Sequence, residues 1–329
     1  MNISEIARLA GVSPAAVSRY LNNGYISEEK KEAIRKVIEE TGYTPSQSAQ
    51  AMRTKRHNLI GVIVPRLSSE SVSRMVDGIT EGLNGTKYNI LLANTYNSLD
   101  KELDFLNIFS NNIVDGVILI GTMFTRRHHA VLKDYSKPLV VLGQCEKRYS
   151  SVYYDDFGAA YTVASHLAET GCKNIACIHC TAKDKSAGKA RLDGFIKALE
   201  DAGVPSFPEL IAESNFNMEG GYAAMKKIFE TGKSFDGVFC ATDTVALGAR
   251  NFLAEQGLKV GKDVKLAGVG DSKMSKYLTP PMTTIRLHYK TGGLEACKMM
   301  INKLDGKNSS DEKIRLGYEF IIRQSTQND

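Results

Sequence analysis

The sequence predicts an α/β protein in which a small three-helix unit and a linker precede two doubly wound α/β subdomains. Three observations lead to this prediction. Apolar residues recur at helical spacing in the first 42 residues, whereas residues 44–57 are polar and basic. From Leu59 onward, apolar strand-like runs alternate with longer helical patterns. A chain of 329 residues is long enough for two or three domains with a substantial buried core.

The first two predicted helices are short and are joined by a tight turn. Apolar residues at helical spacing predict the first helix over residues 3–10, and Gly11 ends it. Ser13 is the expected N-cap of the second helix, with Pro14 at its first position. Two short helices joined by a turn that contains glycine are typical of a DNA-binding helix-turn-helix. The alternative is an ordinary helical hairpin that caps a larger domain.

A third helix and a linker follow. Ser27 is the expected N-cap of the third helix, an apolar stripe lies between residues 33 and 38, and Gly42 ends the helix. Residues 46–54 could form about two helical turns, which are marginal in water without a partner surface. We therefore predict a linker that becomes helical only when it is docked, with a plain flexible tether as the alternative.

The remainder of the chain predicts two parallel sheets covered by helices on both faces. Strands are predicted at 59–64, 88–93, 116–120, 138–142, 175–178, 237–240 and 264–269, and helices near 69–85, 100–111, 156–171, 186–203, 218–232 and 243–257. These strands are too many for one compact sheet, so two subdomains are expected, with a changeover near residues 154–158. A helix near 289–304 and a late strand over 314–323 are expected to cross back between them. The cleft between the sheets is then the default small-molecule site.

Composition and charge narrow the class of protein. A hydrophobic content of 43% and a charged content of 24% describe an ordinary soluble protein. No apolar run reaches membrane-spanning length and the N-terminus lacks a signal-peptide pattern, so a cytoplasmic protein without a membrane partner is expected. Residues 1–57 hold nine Lys and Arg against six Asp and Glu, a small excess that suits a polyanion but is weak evidence alone.

Neither a metal site nor a catalytic site is indicated. Cys177 and Cys180 have a C-x-x-C spacing, but they fall in an apolar run that predicts a buried strand. His128 and His129 are interpreted as solvated loop or helix surface. Because no nucleophile, metal-ligand or phosphate-binding motif is found, we expect no enzyme activity, no cofactor and no metal.

Several motifs together resemble the lactose-repressor (LacI/GalR) family of bacterial transcription regulators. They occur in the family's order and lie at residues 5–13, 17–22, 42–46, 49–52, 60–65, 114–118, 191–195, 242–248 and 279–285. The resemblance implies a helix-turn-helix domain at 1–44, a hinge helix at 45–57, and an effector-binding and dimerisation domain at 58–329. That last domain is expected to be like type I periplasmic binding proteins. Its N-subdomain would span about 58–155 and 287–316, and its C-subdomain about 156–286 and 317–329.

The resemblance also implies how DNA is bound. A homodimer is expected to place two second helices in successive major grooves of a pseudo-palindromic operator in double-stranded DNA. Arg19 is the candidate for reading a guanine edge, whereas Pro14 and Ala15 offer only apolar fit. Met52 is expected to wedge into the minor groove. The full set of implied DNA-binding residues is Asn2, Pro14, Ala15, Ser18, Arg19, Asn22, Ser27, Tyr43, Ser46, Ala49 and Met52, of which Asn2, Ser27 and Tyr43 are expected to hold phosphates.

The effector-binding residues that the resemblance implies lie on loops of the predicted cleft: Ser68, Ser71, Asp155, Arg191, Phe216, Thr242, Asp243 and Asp271. Arg191 is expected to hold ligand hydroxyls or a carboxylate, and Phe216 to offer an aromatic wall. Helix N-capping is the alternative for Asp155 and Asp243, and a core position is the alternative for Phe216. Asp271 either compensates for the missing side chain of the preceding glycine or serves structure.

The expected function is therefore that of a repressor of carbohydrate-utilisation genes under the control of a mono- or disaccharide. Residues 20–27 and 268–273 are similar to sucrose-utilisation repressors, which favours a fructose-containing saccharide. A purine-responsive or phosphocarrier-dependent regulator is the alternative within the family. A sugar-binding transport protein is the alternative from another class, but it would have a signal peptide and no basic N-terminal unit.

Overall fold

The computed structural model describes residues 1–22, 24–44, 56–111, 113–121, 123–307 and 310–327. Residues 45–55 of the predicted hinge, which include Ser46, Ala49 and Met52, lie outside the described residues. The N-terminal unit contains the three predicted helices, α1 (Ile3–Leu9), α2 (Pro14–Leu21) and α3 (Glu28–Thr41). Its small core consists of Ile6, Ala7, Ala16, Val17 and Ile34, all buried.

Local chemistry sets the ends of these helices. The Ser13 hydroxyl accepts a hydrogen bond from the backbone of Ala16 at 3.2 Å, which caps α2, and Pro14 occupies its first position. Gly11 follows α1 and Gly42 follows α3, and both have φ of +62°, a backbone conformation that favours glycine. The predicted turn and the predicted end of the third helix are therefore confirmed.

The first sheet has six strands in the order β11-β5-β4-β3-β1-β2, and its pairings are all parallel. Its strands are β1 (Leu59–Val64), β2 (Asn89–Asn94), β3 (Gly116–Ile120), β4 (Leu139–Leu142), β5 (Ser150–Tyr154) and β11 (Lys313–Leu316). The helices that follow β1, β2 and β3 are α4 (Glu70–Gly82), α5 (Leu99–Ser110) and α6 (Arg126–Leu132), and α11 (Tyr289–Leu304) packs beside α4.

The second sheet has the order β12-β10-β9-β8-β6-β7, with β12 antiparallel to β10 and the other pairings parallel. Its strands are β6 (Ile175–Cys180), β7 (Ile211–Ser214), β8 (Gly237–Cys240), β9 (Lys265–Val269), β10 (Thr283–Leu287) and β12 (Tyr318–Ile321). Its helices are α7 (Asp156–Glu169), α8 (Arg191–Ala202), α9 (Met218–Glu230) and α10 (Asp243–Glu255), with a π-helical turn at Lys185–Ala190 before α8. Cys177 and Cys180 are buried in β6, which confirms the buried strand predicted for them.

The single late strand predicted over 314–323 is wrong. Residue 317 separates β11, which joins the first sheet, from β12, which joins the second, so the chain crosses between the sheets there. Strands β5, β7 and β10 lie outside the predicted set. In β5 and β10 the reason is that buried Ser150, Ser151, Thr283 and Thr284 interrupt the apolar pattern. Hydrogen bonds satisfy their hydroxyls, as when Thr283 Oγ1 donates to the carbonyl of Arg323.

The interpretation of His128 as solvated surface is also wrong. His128 has no exposed surface, and its Nε2 lies 2.7 Å from the carboxylate of Glu102, which is 5% exposed. The Nδ1 atom accepts from the backbone N–H of Thr125 at 3.1 Å, so Nε2 carries the proton and donates to Glu102. This pair ties α6 to α5. His129 is half-buried.

Two kinds of feature are absent from the described residues. No helix in the described ranges is both long enough and apolar enough to cross a membrane. The same ranges contain no group of three or more His, Cys, Asp or Glu side chains that could hold a metal ion.

Candidate functional site

The second helix presents one outward face, which carries the side chains predicted to read bases: Pro14, Ala15, Arg19 and Asn22 are exposed and Ser18 is half-buried. The opposite face is closed, because Ala16 and Val17 pack into the three-helix core. A short helix with an exposed face of small and polar side chains and one arginine has the form of a major-groove reader.

The other predicted DNA contacts have varied surroundings. The Oδ1 atom of Asn2 accepts from a backbone N–H of α1 at 3.0 Å, so Asn2 would meet a phosphate with its amide nitrogen. Asn22 Nδ2 donates to the carbonyl of Ser18. Ser27 is the N-cap residue of α3, but its side chain makes no capping hydrogen bond. Tyr43 packs half-buried against the three-helix core.

A cleft, partly open to solvent, lies between the two sheets. A concave position between two subdomains is typical of a small-molecule site. It is lined by loops that follow the carboxyl ends of strands in both sheets, which is the expected ligand position in such folds. Five of the predicted effector residues line it, namely Ser71, Arg191, Phe216, Thr242 and Asp243.

Arg191 and Asp156 form a buried ion pair at the cleft. The two residues are 3% and 4% exposed, and Arg191 Nη2 lies 2.7 Å from Asp156 Oδ1. A second guanidinium nitrogen, Nη1, donates to the carbonyl of Ala241. Burial opposes the charge on Arg191, but the Asp156 carboxylate outweighs this effect and holds the pKa of Arg191 above its ordinary value. The guanidinium is therefore charged and its orientation is set by Asp156.

Asp243 is a buried carboxyl group with both oxygens engaged. Oδ1 accepts from the hydroxyl of Thr284 at 2.6 Å, and Oδ2 accepts from the backbone N–H of Ser272 at 2.7 Å. Burial raises the pKa of Asp243 to about 6. The capping interpretation of Asp243 is wrong, because Thr242 is the residue that caps α10.

Three predicted effector residues lie outside the cleft lining, namely Ser68, Asp155 and Asp271. Ser68 is exposed on the loop after β1. Asp155 caps α7 by accepting a backbone N–H of its first turn at 3.1 Å, as the capping alternative predicts. The Asp271 carboxylate binds Arg286 at 2.9 Å and Arg323 at 2.6 Å. In this structure, Asp271 therefore stabilises its loop through these two ion pairs.

Comparisons with known proteins identify the family. Residues 2–46 match the bacterial regulatory proteins of the lacI family, and residues 164–326 match the periplasmic binding protein-like domain. The chain is 30% identical to the HTH-type transcriptional regulator RegA of Clostridium saccharobutylicum over 99% of both chains. The chain belongs to the lacI family. It is a DNA-binding transcriptional regulator.

Two further relatives of this lacI-family regulator are repressors by name. The sucrose operon repressor of Staphylococcus xylosus is 30% identical over 89% of this chain and 90% of its own. The transcriptional repressor PurR of Actinobacillus pleuropneumoniae is 29% identical over 99% and 98%.

Solved structures agree with the fold. The complex of the regulator CelR with cellobiose has a TM-score of 0.77 at 26% identity, with 99% of each chain covered. The lac repressor dimer bound to operator has a TM-score of 0.89 at 22% identity, again with 99% of each chain covered. This lacI-family regulator therefore has the architecture predicted from its sequence, a helix-turn-helix unit joined to a periplasmic-binding-protein-like α/β domain.

Direct contacts join the two walls of the cleft in this lacI-family regulator. Arg66, which follows β1, donates to the carbonyl of Phe216 at 2.6 Å. Arg74 of α4 donates to a carbonyl of the loop after β9 at 2.8 Å, and Glu70 accepts from a backbone N–H of that loop at 3.0 Å. The structure therefore describes the cleft with its two walls in direct contact. Sequence reasoning misses these residues, because the spacing of Glu70 and Arg74 predicts only an intrahelical ion pair.

Asp184 is a further cleft residue that the sequence analysis misses. Its Oδ1 accepts from the backbone N–H groups of Ser186 and Ala187 at 2.9 and 3.0 Å and from Gln144 Nε2 at 3.3 Å. Since Gln144 belongs to the first sheet's side, this last bond also crosses the cleft. Burial raises the pKa of Asp184 to about 6.

Replacing Asp184 with asparagine is expected to stabilise the protein above pH 6. The unfolded chain releases this proton at a lower pH than the folded chain, so stability falls as pH rises from about 4 to the folded pKa of about 6, and the full cost of the buried carboxylate is present above that pH. Asparagine keeps the Oδ1 acceptor and removes the charge. We expect a gain of about 1–3 kcal/mol at pH 8 that shrinks toward pH 4, measured by urea unfolding.

Asp193→Asn provides the matched control. This carboxylate is 46% exposed and pairs with Lys189, so its loss should change stability little at either pH. An effect of Asp184→Asn on stability that is the same at pH 4 and pH 8 would contradict the account of Asp184.

Proposed function

We propose that this regulator is a homodimeric repressor of carbohydrate-utilisation genes whose operator affinity changes when a saccharide occupies the cleft. The observation that carries the proposal is the cleft itself, which both sheets line and which direct contacts close. We further propose the functional division into a DNA-binding domain at 1–44, a hinge at 45–57 and an effector domain at 58–329. Such a regulator would act on DNA in the cytoplasm and would need no catalytic group.

DNA recognition is assigned to α2 and to the hinge. Each copy would place α2 in a major groove, where Arg19 donates a fork of hydrogen bonds to a guanine and the exposed Pro14 and Ala15 fit methyl groups. Phosphates would be held by Asn2, Ser27 and Tyr43, which set the register. In the hinge, Ser46 and Ala49 would meet the DNA and Met52 would open the minor groove.

The proposed effector is a mono- or disaccharide, with a fructose-containing one favoured. The cleft offers an aromatic ring at Phe216 and polar groups at Ser71 and Thr242, a combination that suits a ring rich in hydroxyls. The similarity to the sucrose operon repressor and to the cellobiose complex of CelR supports this class. Similarity to PurR repressors supports a purine effector as the second candidate.

Closure of the cleft gives the effector a way to act at a distance. A ligand that contacts both walls favours the closed form, and a change in the angle between subdomains alters how the dimer presents its two hinges. Operator and effector are then linked by one coupling free energy, which acts equally in both directions.

A titration of operator DNA with and without candidate effectors tests the proposal. The operator is selected from random DNA with the full-length protein, and binding is followed by fluorescence anisotropy at fixed salt. At least one of fructose, sucrose, their phosphate esters or cellobiose should change operator affinity by about five-fold or more. A response to purine bases alone would instead establish the second candidate. If no saccharide changes the affinity, the proposal of a saccharide effector fails.

Dimerisation is expected to depend on strand β2. This strand forms one edge of the first sheet, and its Leu91 and Leu92 are each 36% exposed. Ile108, on the helix α5 that follows this strand, is 43% exposed. An apolar sheet edge needs a cover, and a second copy of the chain supplies one.

Leu91→Glu with Leu92→Glu should therefore convert the dimer into a 36.1 kDa monomer in sedimentation velocity. Ile322→Glu is the control, since Ile322 is 47% exposed but follows β12 of the other sheet. A variant at β2 that stays dimeric would exclude this edge from the interface.

A further inference from the structure

Arg66 reaches across the cleft from one subdomain to the other. It directly follows Pro65 after β1, is half-buried, and donates through Nη2 to the carbonyl of Phe216 at 2.6 Å. Its guanidinium carbon lies 5.8 Å from the centroid of the Phe216 ring. The same ring lines the cleft. Arg66 therefore stands beside the surface on which a ligand ring would pack.

The charge of Arg66 lacks a counterion among the described residues. The other cationic groups that line the cleft are paired, Arg74 with Glu70 and Arg191 with Asp156. Burial lowers the pKa of Arg66, and no described carboxylate offsets this effect. Since arginine stays protonated in proteins, Arg66 keeps a positive charge that is not paired with any described carboxylate.

The remaining acidic groups of the cleft are already satisfied by neutral donors. Asp184 accepts from two backbone N–H groups and from Gln144, and Asp243 accepts from Thr284 and from a backbone N–H. Neither is available to neutralise Arg66 without giving up these bonds. A ligand with its own negative charge would give Arg66 the anionic partner that these residues do not supply, and a half-buried cation without an anion is costly.

Hydroxyl groups stand on the same side of the cleft. The Oγ atoms of Ser69 and Ser71 lie 2.9 Å apart on the segment that opens α4, and both residues line the cleft together with Arg66. A guanidinium fork with neighbouring hydroxyl donors matches the several acceptor oxygens of a phosphate ester. A neutral sugar hydroxyl would use one N–H of this fork and leave the charge unpaired.

We propose that the effector is a phosphorylated saccharide whose phosphate ester is bound by Arg66. The inference rests on the proposed function of the cleft as a saccharide site, and it names the class of saccharide. The sugar ring packs on Phe216, and the phosphate lies between Arg66 and the hydroxyls of Ser69 and Ser71. Arg66 thereby becomes the residue that distinguishes a phosphorylated sugar from its neutral parent.

Isothermal titration calorimetry on the full-length protein without DNA tests this inference with matched pairs. The probes are fructose and fructose 6-phosphate, glucose and glucose 6-phosphate, and sucrose and sucrose 6-phosphate. Inorganic phosphate and gluconate are added to distinguish a bare anion and a carboxylate from a phosphate ester. At least one ester should bind ten-fold or more tightly than its neutral parent, than inorganic phosphate and than gluconate.

Variants at Arg66 connect that preference to the residue. Arg66→Gln should weaken binding of the preferred ester at least ten-fold and leave its neutral parent within about two-fold. Arg66→Lys, which keeps the charge but not the fork, should give an intermediate loss and serves if the glutamine variant does not fold. Arg127→Gln is the control, since Arg127 is exposed and pairs with Asp100 on the surface.

Several outcomes overturn the inference. The first is that a neutral saccharide binds as tightly as its ester, and the second is that the preferred ester binds the Arg66→Gln variant as tightly as the wild type. The third is that inorganic phosphate or gluconate binds as tightly as any ester. The fourth is that no ester binds. Operator affinity, measured separately on the same protein, reports on the DNA-binding part of the proposed function. A purine-only response in that assay identifies failure of the saccharide site itself.

Discussion

Replacing Asp156 with alanine is expected to lower the free energy of unfolding by about 3–5 kcal/mol. The reason is the position of its partner, since Arg191 is 3% exposed and would keep its charge without a carboxylate beside it. The carbonyl of Ala241 would still accept one hydrogen bond but supplies no counter-charge. The loss is therefore that of a buried unpaired cation, and it should exceed the effect of most surface substitutions.

Urea unfolding followed by circular dichroism measures this effect, and two controls define its cause. Asp100→Ala removes the carboxylate of an ion pair whose side chains are 61% and 73% exposed, so it should cost less than about 1 kcal/mol. The double variant Asp156→Leu with Arg191→Met should be more stable than Asp156→Ala, because it removes both charges together. A cost for Asp156→Ala as small as that for Asp100→Ala would contradict the buried-pair account.

Replacing Arg19 with alanine is expected to weaken specific operator binding by about 30-fold or more. One arginine that reads a guanine edge contributes roughly 1–3 kcal/mol, and a dimer on a pseudo-palindromic operator uses two of them. Because Arg19 is exposed and lies on the outward face of α2, the change should leave the three-helix core intact. Fluorescence anisotropy at fixed salt measures operator affinity, and circular dichroism checks the fold.

Specificity is the second readout for Arg19. Affinity for random DNA should fall by only a few-fold, and preference at one base pair in each half-site should relax. Lys36→Ala is the matched control, since this exposed cation lies on α3 and not on α2. If Arg19→Ala weakens operator and random DNA by the same factor, Arg19 holds phosphates and another residue reads the bases.

Local features of the sequence predict much of this architecture. Ser13 with Pro14 and Gly42 define ends of α2 and α3, because capping and left-handed backbone depend on a few adjacent residues. Continuous apolar runs predict strands such as β1 and β3, which the structure buries between helices. The position of the cleft follows in turn, since the carboxyl ends of parallel strands lie at one edge of each sheet.

Elements with buried polar residues are less predictable. His128 and Glu102 are 26 positions apart, and each alone looks like a surface residue of a helix. The fold brings the two side chains together, and both can be buried because each supplies the hydrogen-bond partner of the other. The same holds for β10, where Thr283 and Thr284 can be buried because their hydroxyls form hydrogen bonds with partners about 40 residues away.

By itself, the sequence determined the three-helix unit, the two doubly wound subdomains, the family and the general place of the site, since periodicity, capping and motif order are local properties. Only the tertiary structure decided which carboxylates of the cleft are engaged elsewhere and which cleft cation has no carboxylate partner among the described residues. Arg66, Arg74 and Asp184 form hydrogen bonds with groups on the opposite wall of the cleft, which are 40 to nearly 200 residues away in the chain. Charge compensation depends on such distant neighbours, and a linear sequence does not specify their distances.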